Sequence, residues 1–184
     1  MRRSGFVLVG GSSSRMGQDK SLLPFRGETL LDHIARQVLT ATGSVTLVGA
    51  PERYTGLGYR AIPDHIPGCG PLGGVHAALS ETRAEWNLIV ACDMPQLDGA
   101  FLNTLLSQAE QENCECLVPV SAPGKTEPLC AAWHRTALAE VETALRNGVR
   151  CMRDALKLLK TKHWPADPAW FANANTPQEW ATHA

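Results

Sequence analysis

The sequence has no CxxC pair, no excess of one charge and, after its basic start "MRRSGFVLVGG", too few apolar residues in a row for a signal peptide or a membrane span. Each absence narrows the function. Without metal-site spacing, and in a chain long enough to need no disulfide framework, the six cysteines (Cys69, Cys92, Cys114, Cys116, Cys130, Cys151) read as mostly buried thiols. Cys114 and Cys116 alternate as strand neighbours do, small hydrophobes rather than a metal pair. Seventeen Lys plus Arg against eighteen Asp plus Glu leave a formal charge of −1, so no bulk field recommends nucleic acid or an anionic membrane as partner. Any anion must be bound locally. There is no internal repeat, low-complexity tract or linker to divide the chain, and the expectation is one cytoplasmic domain over residues 1–184.

The 184 residues are 44% hydrophobic, enough for one sizeable core. Apolar runs of strand length (Phe6 to Val9, Val45 to Val48, Ala61 and Ile62, Leu88 to Ala91, Cys116 to Val120, Leu129 to Trp133) alternate with segments of helical period. The latter include Leu30 to Leu39, Val75 to Leu79, Phe101 to Leu106 and Leu138 to Leu145. Such alternation predicts an α/β fold with a mainly parallel central sheet flanked by helices. In "TPQEW", Thr176, Pro177 and Glu179 stand where an N-cap, a first helical residue and a capping-box partner belong, so a last helix is expected there.

Between the first strand and the first helix lies "LVGGSSSRMGQDKSLLPF". Backbone N–H groups in such a loop, with the positive end of the following helix, suit a phosphate. Gly10 and Gly11 permit close backbone approach, Ser12 to Ser14 add hydroxyls, and Arg15 and Lys20 add cations. A Walker A loop is excluded, because five residues separate Gly11 from Gly17 and Lys20 comes three later. A GxGxxG dinucleotide loop is excluded too, since no glycine stands between Gly11 and Gly17. The loop of nucleotidyltransferases remains. For both cations the bland alternative is a solvated basic helix end.

Two further blocks follow. "PDHIPGCGPLGG" carries Asp64, which alone is more often a turn residue than a ligand, and a bend at Gly70, Pro71, Leu72 and Gly73 that either presses backbone against a base or ribose or simply starts a helix. "CDMP" leaves Asp93 at the C-terminal edge of a buried strand, where open α/β sheets bind ligands. Asp93 is either a carboxylate for Mg²⁺ or the N-cap of the helix after Pro95. His65 and His76 flank the second block without partners at metal spacing and read as ordinary loop or helix residues.

The first block resembles the LAGGxSxRMGxDKxLL pattern of the molybdenum cofactor guanylyltransferase family, within the Rossmann-like nucleotidyltransferases. "PDHIPGCGPLGGVHAAL" and "CDMPQL" are similar to the family's second and third blocks, in the same order and spacing, and "NANTPQEW" resembles its C-terminal ending. The resemblance implies a Mg²⁺-dependent transferase moving GMP from GTP to the phosphate of molybdenum-molybdopterin. Leu8, Val9, Gly10, Gly11, Lys20, Asp64, Gly70, Pro71, Leu72, Gly73 and Asp93 would bind nucleotide. Arg15, Lys20 and Asp93 would be catalytic, with Asp93 on the metal. The N-terminal half would hold nucleotide and the C-terminal half the acceptor, through Asn173 and Asn175, two residues that also suit a plain turn. Arg153, in the basic stretch "RCMRDALKLLK", is a further candidate for the acceptor phosphate, its alternative being a solvated helix face. Molybdoenzymes or cofactor-insertion chaperones are the implied protein partners. In cytidylyl relatives the glycine pair is usually Ala-Gly, so Gly10-Gly11 leans toward guanine. A cytidylyltransferase on the same pterin or a related phosphorylated acceptor remains the alternative enzyme, and a non-catalytic nucleotide-binding or cofactor-carrier protein the alternative of another class.

Overall fold

The computed structural model describes residues 2–10 and 19–172. Gly11, Arg15, Asn173, Asn175 and the helix expected at Thr176 lie outside the described residues. One sheet organises the rest. Its strands are β1 (Arg3–Leu8), β4 (Thr46–Gly49), β5 (Arg60–Pro63), β6 (Trp86–Ala91), β7 (Cys116–Ala122), β8 (Lys125–Thr126), β9 (Cys130–His134) and β10 (Thr161–Pro165), while β2 (Pro24–Phe25) and β3 (Glu28–Thr29) form a separate hairpin. The order is β10-β7-β9-β6-β1-β4-β5, with β8 on β7. Strands β6, β1, β4 and β5 run parallel, as do β7 and β10. Antiparallel to their neighbours are β9, inserted between β6 and β7, and the short β8 on β7. The central strands β4 and β6 and the second half of β1 are buried and mostly apolar because helices cover both faces of the sheet there, whereas the edge strands β5 and β10 carry exposed polar residues.

Helices α1 (Leu30–Thr42) and α3 (Gly99–Gln111) cover one face, over a core including Val7, Leu47, Leu88 and Val90. Helices α2 (Gly70–Glu81), α4 (Ala137–Arg146) and α5 (Met152–Leu156) cover the other, over Phe6, Val48, Ile89 and Trp133. Alternate residues of one strand thus feed opposite cores, the period-two signature of a strand buried on both sides. Two of the helices start on side-chain caps: Thr29 accepts from the Asp32 N–H at 3.1 Å and Asp98 from the Phe101 N–H at 2.7 Å. Five of the six cysteines are buried and only Cys151 is exposed. No helix among the described residues is long and apolar enough to cross a membrane.

The chain leaves β1 through β4 and β5 on one side and returns to pair β6 on the other. Strand order reverses at β1, so the loops after β1 and β6 diverge and leave a crevice at the C-terminal edge, the usual ligand position in open α/β sheets.

Candidate active site

A cavity of about 590 Å³ opens at that edge. Strand ends supply its floor: Leu8 at the end of β1 with Val9 and Gly10 beyond it, Val48 and Gly49 of β4, Ala91 at the end of β6 with Cys92 and Asp93 beyond it, and Leu129 before β9. Asp19, Lys20 and Ser21 form one wall, and Asp64, Gly68, Gly70, Pro71 and Gly74 another. The second wall contains the start of α2, whose N-cap Cys69 makes no side-chain capping bond. No side chain of the N-cap competes for the first turn, where Pro71 has no N–H and Gly70 and Leu72 carry the amides, and the helix dipole favours an anion there.

Close approach sets several residue types. Gly49 has φ +148°, and a Cβ there would fall 2.1 Å from the Val9 carbonyl oxygen, so the ends of β1 and β4 can meet only because it is glycine. A Cβ on Gly74 would stand 2.9 Å from Leu8 Cδ2, so α2 lies directly over the end of β1.

Two carboxylates look into this space under strain. Oδ1 of Asp64 and Oδ1 of Asp93 are both buried, and neither has a hydrogen-bond partner. Burial pushes both carboxyls above their ordinary range; the backbone N–H of Asp93 and the Lys20 ammonium oppose the shift at Asp93, and His65 and His76 oppose it at Asp64. A buried, unpaired carboxylate is costly unless a cation or donor arrives. Capping does not explain Asp93, because α3 is capped by Asp98 instead. The Cys92 thiol beside it is held neutral by burial. His65 and His76 lie edge to face with ring centroids 6.0 Å apart, and His76 Nε2 stands 3.7 Å from Glu142 Oε1.

Lys20 is fixed by a short network. It begins a single 3-10 turn, Lys20–Leu22, whose N-cap Asp19 accepts from the Ser21 N–H at 3.1 Å and from Ser21 Oγ at 2.7 Å. The Tyr54 hydroxyl donates to the other carboxylate oxygen of Asp19 at 2.8 Å.

The structure therefore brings Leu8, Val9, Gly10, Lys20, Asp64, Gly70, Pro71 and Asp93 to one cavity. Leu72 and Gly73, the other two members of the expected bend, are not among the residues that line the cavity. Leu72 is fully buried in the core beneath α2, since consecutive helical residues point about 100° apart and the cavity side belongs to Pro71 and Gly74. Gly73 is buried behind Asp64. Arg153 is exposed on α5 and is not among the lining residues. Sequence reasoning missed Asp19, Ser21, Gly49, Gly68, Gly74, Cys92 and Leu129. Only Gly49 left a clear signal, because "TLVGAP" ends β4 as "FVLVGG" ends β1.

The model of the MobA-like NTP transferase domain matches residues 5–163. The chain belongs to that family. A probable molybdenum cofactor guanylyltransferase of Flavobacterium johnsoniae is 34% identical over 151 residues, covering 82% of this chain and 78% of that protein. One of the same name from Bacillus cereus is 30% identical over 188 residues, covering 96% of this chain and 93% of its own length. The solved molybdopterin-guanine dinucleotide biosynthesis protein A of Archaeoglobus fulgidus superposes with a TM-score of 0.83 at 25% identity, covering 98% of this chain and 96% of that one. The 2-C-methyl-D-erythritol 4-phosphate cytidylyltransferase of Thermus thermophilus has the same fold, with a TM-score of 0.76 at 16% identity, 100% coverage of this chain and 97% of that one. The MobA-like family is one of nucleotidyltransferases, and its matched span contains every described cavity residue.

Proposed function

We propose that this nucleotidyltransferase moves GMP from GTP to the terminal phosphate of molybdenum-bearing molybdopterin, giving the guanine dinucleotide cofactor and pyrophosphate in the cytoplasm. The observation that carries the reading is the meeting of Lys20, the uncapped start of α2 and the orphaned oxygen of Asp93 in one cavity. An acceptor phosphate oxygen bonds to the α-phosphorus of GTP while the bond from that phosphorus to the β-bridging oxygen breaks. The obstacle is charge, so the protein's contribution is position and electrostatics rather than a nucleophile. Lys20 grips the β- and γ-phosphates and steadies the departing pyrophosphate, with Arg15 as a second clamp. Gly10, Gly11 and the helix start bring backbone to the base, ribose and phosphates.

Mg²⁺ fits the donors present. Asp93 and Asp64 offer hard, buried, unpartnered oxygens to the same space. Among the described residues no three His, Cys, Asp or Glu side chains gather into a cage. None is needed for an ion held by one or two carboxylates and completed by phosphate and water. Asp93 would hold it, assisted by Asp64, and the ion when bound supplies positive charge to the phosphates. The acceptor is assigned to the C-terminal half, with Arg153, Asn173 and Asn175 as its contacts and molybdoenzymes or insertion chaperones as recipients of the product.

The test is release of pyrophosphate from GTP, CTP and ATP with the pterin acceptor present, with the dinucleotide product identified by mass. Release from GTP alone supports the proposal. Release from CTP alone makes the enzyme a cytidylyltransferase, and binding without release makes the protein a carrier.

A further inference from the structure

The connection between β4 and β5 contains a short 3-10 turn, Pro51–Tyr54, that none of the motif blocks includes. It touches the glycine loop at both described ends. At one end, a Cβ on Gly10 would meet Ala50 N at 3.5 Å and Ala50 Cβ at 3.6 Å. At the other, the Tyr54 hydroxyl reaches Asp19 Oδ2 at 2.8 Å, and Ser21 Oγ lies 3.3 Å from the same hydroxyl. Tyr54 is 2% exposed, so its ring cannot swing away without opening the core that includes Leu30, Leu31 and Phe25. Burial pushes its hydroxyl up to about 12, which keeps it a donor throughout the neutral range.

Asp19 is consequently held from two sides. One carboxylate oxygen fixes the turn that starts at Lys20, and the other is held by Tyr54. A bidentate, charge-assisted anchor of this kind limits the rotation of the turn and hence the origin of the Lys20 side chain. We propose that Tyr54 is a positioning residue for the triphosphate: through Asp19 it fixes the Lys20 turn against the β4–β5 connection, so that the ammonium is placed for the β- and γ-phosphates before nucleotide arrives. This inference rests on the role given to Lys20 above. It predicts a preorganisation effect confined to ligands that carry those two phosphates.

Tyr54→Phe removes one oxygen and keeps the ring in the core. The experiment titrates the wild type, Tyr54→Phe, Lys20→Ala and the double variant with GTP and with GMP in excess Mg²⁺, and follows amide hydrogen exchange at residues 19–22 in the free proteins. Tyr54→Phe is expected to weaken GTP about fivefold or more, part of the roughly tenfold or larger effect of one hydrogen bond to a charged group, while GMP is unaffected. In the Lys20→Ala background the same substitution should add little, because a residue acting through Lys20 has nothing left to position. Exchange at residues 19–22 should quicken. Equal weakening of GTP and GMP would overturn the inference in favour of general damage, and so would an additive double variant. Unchanged GTP affinity in Tyr54→Phe beside a normal loss in Lys20→Ala would overturn it while the phosphate role of Lys20 stands. If Lys20→Ala itself leaves GTP affinity unchanged, the reading of Lys20 falls and the inference with it.

Discussion

The Asp64 carboxylate lies against Gly73 so closely that a Cβ on the glycine would come within 2.9 Å of Oδ1. The same Cβ would stand 3.1 Å from Cys69 Cβ and 3.2 Å from the Ile66 carbonyl oxygen. Gly73→Ala gains about 1 kcal/mol of helix propensity and meets an overpacking cost of about 1–3 kcal/mol. Stability should therefore change little or fall modestly, while the displaced carboxylate weakens Mg-nucleotide binding. Thermal melts and nucleotide titration of this one variant separate the two effects.

Asp93→Asn should lower turnover by about 100-fold or more, the scale for removing a group that organises transition-state charge. In the absence of divalent cation the same variant should melt higher than the wild type. Its amide keeps the shape of the side chain and removes a carboxylate that burial disfavours and whose Oδ1 has no hydrogen-bond partner. Melting curves in chelator and steady-state rates test both halves, and substantial residual turnover would take Asp93 off the metal.

Lys20→Ala should raise the GTP dissociation constant about tenfold or more, as expected for a lost charge-assisted contact. Affinity for GMP should hardly move, because the contact is to the outer phosphates. Calorimetry with the two ligands decides this.

Arg3 bridges β1 and α3 by donating to both carboxylate oxygens of Glu110, at 2.8 and 2.7 Å. That hydrogen-bonded guanidinium holds the Glu110 carboxyl below its ordinary range. A depressed carboxyl stabilises the fold above its unfolded pKa of about 4.3 and loses that contribution as pH falls through the folded value. Glu110→Gln should cost about 1 kcal/mol at pH 7, and its difference from the wild type should close as pH falls below the ordinary carboxylate range and through the lowered folded value. Denaturant melts across that range measure it.

Strands β1, β4, β5, β6, β7 and β9 and the principal helices were legible because the apolar runs had strand length and the helices kept their period, whereas β8 and β10 were not, since "KT" and "TKHWP" contain no apolar run. The direction of β9 was not, since "LCAAW" is equally apolar whichever way it runs between β6 and β7. The hairpin of β2 and β3 was missed for a different reason. It turns on Arg26 and Gly27, both at positive φ, +48° and +85°, and arginine is a poor signal for such a turn. In the site, side chains that line the cavity, such as Lys20 on the 3-10 turn before α1 and Asp93 just after β6, could be placed from motif position alone. Leu72 and Gly73 could not, because a four-residue bend does not reveal which of its members a helix will turn inward. Tyr54 was invisible for a deeper reason: its link to Asp19 joins positions 35 residues apart, and no local pattern records it.

The measurement that bears most directly on the central claim is calorimetric titration of the purified protein with GTP, CTP and ATP, each with and without Mg²⁺. Tight, Mg²⁺-dependent binding of GTP and weak binding of the other two are the expected result. Preference for CTP would contradict the guanine assignment, and failure of all three nucleotides to bind would contradict the site itself.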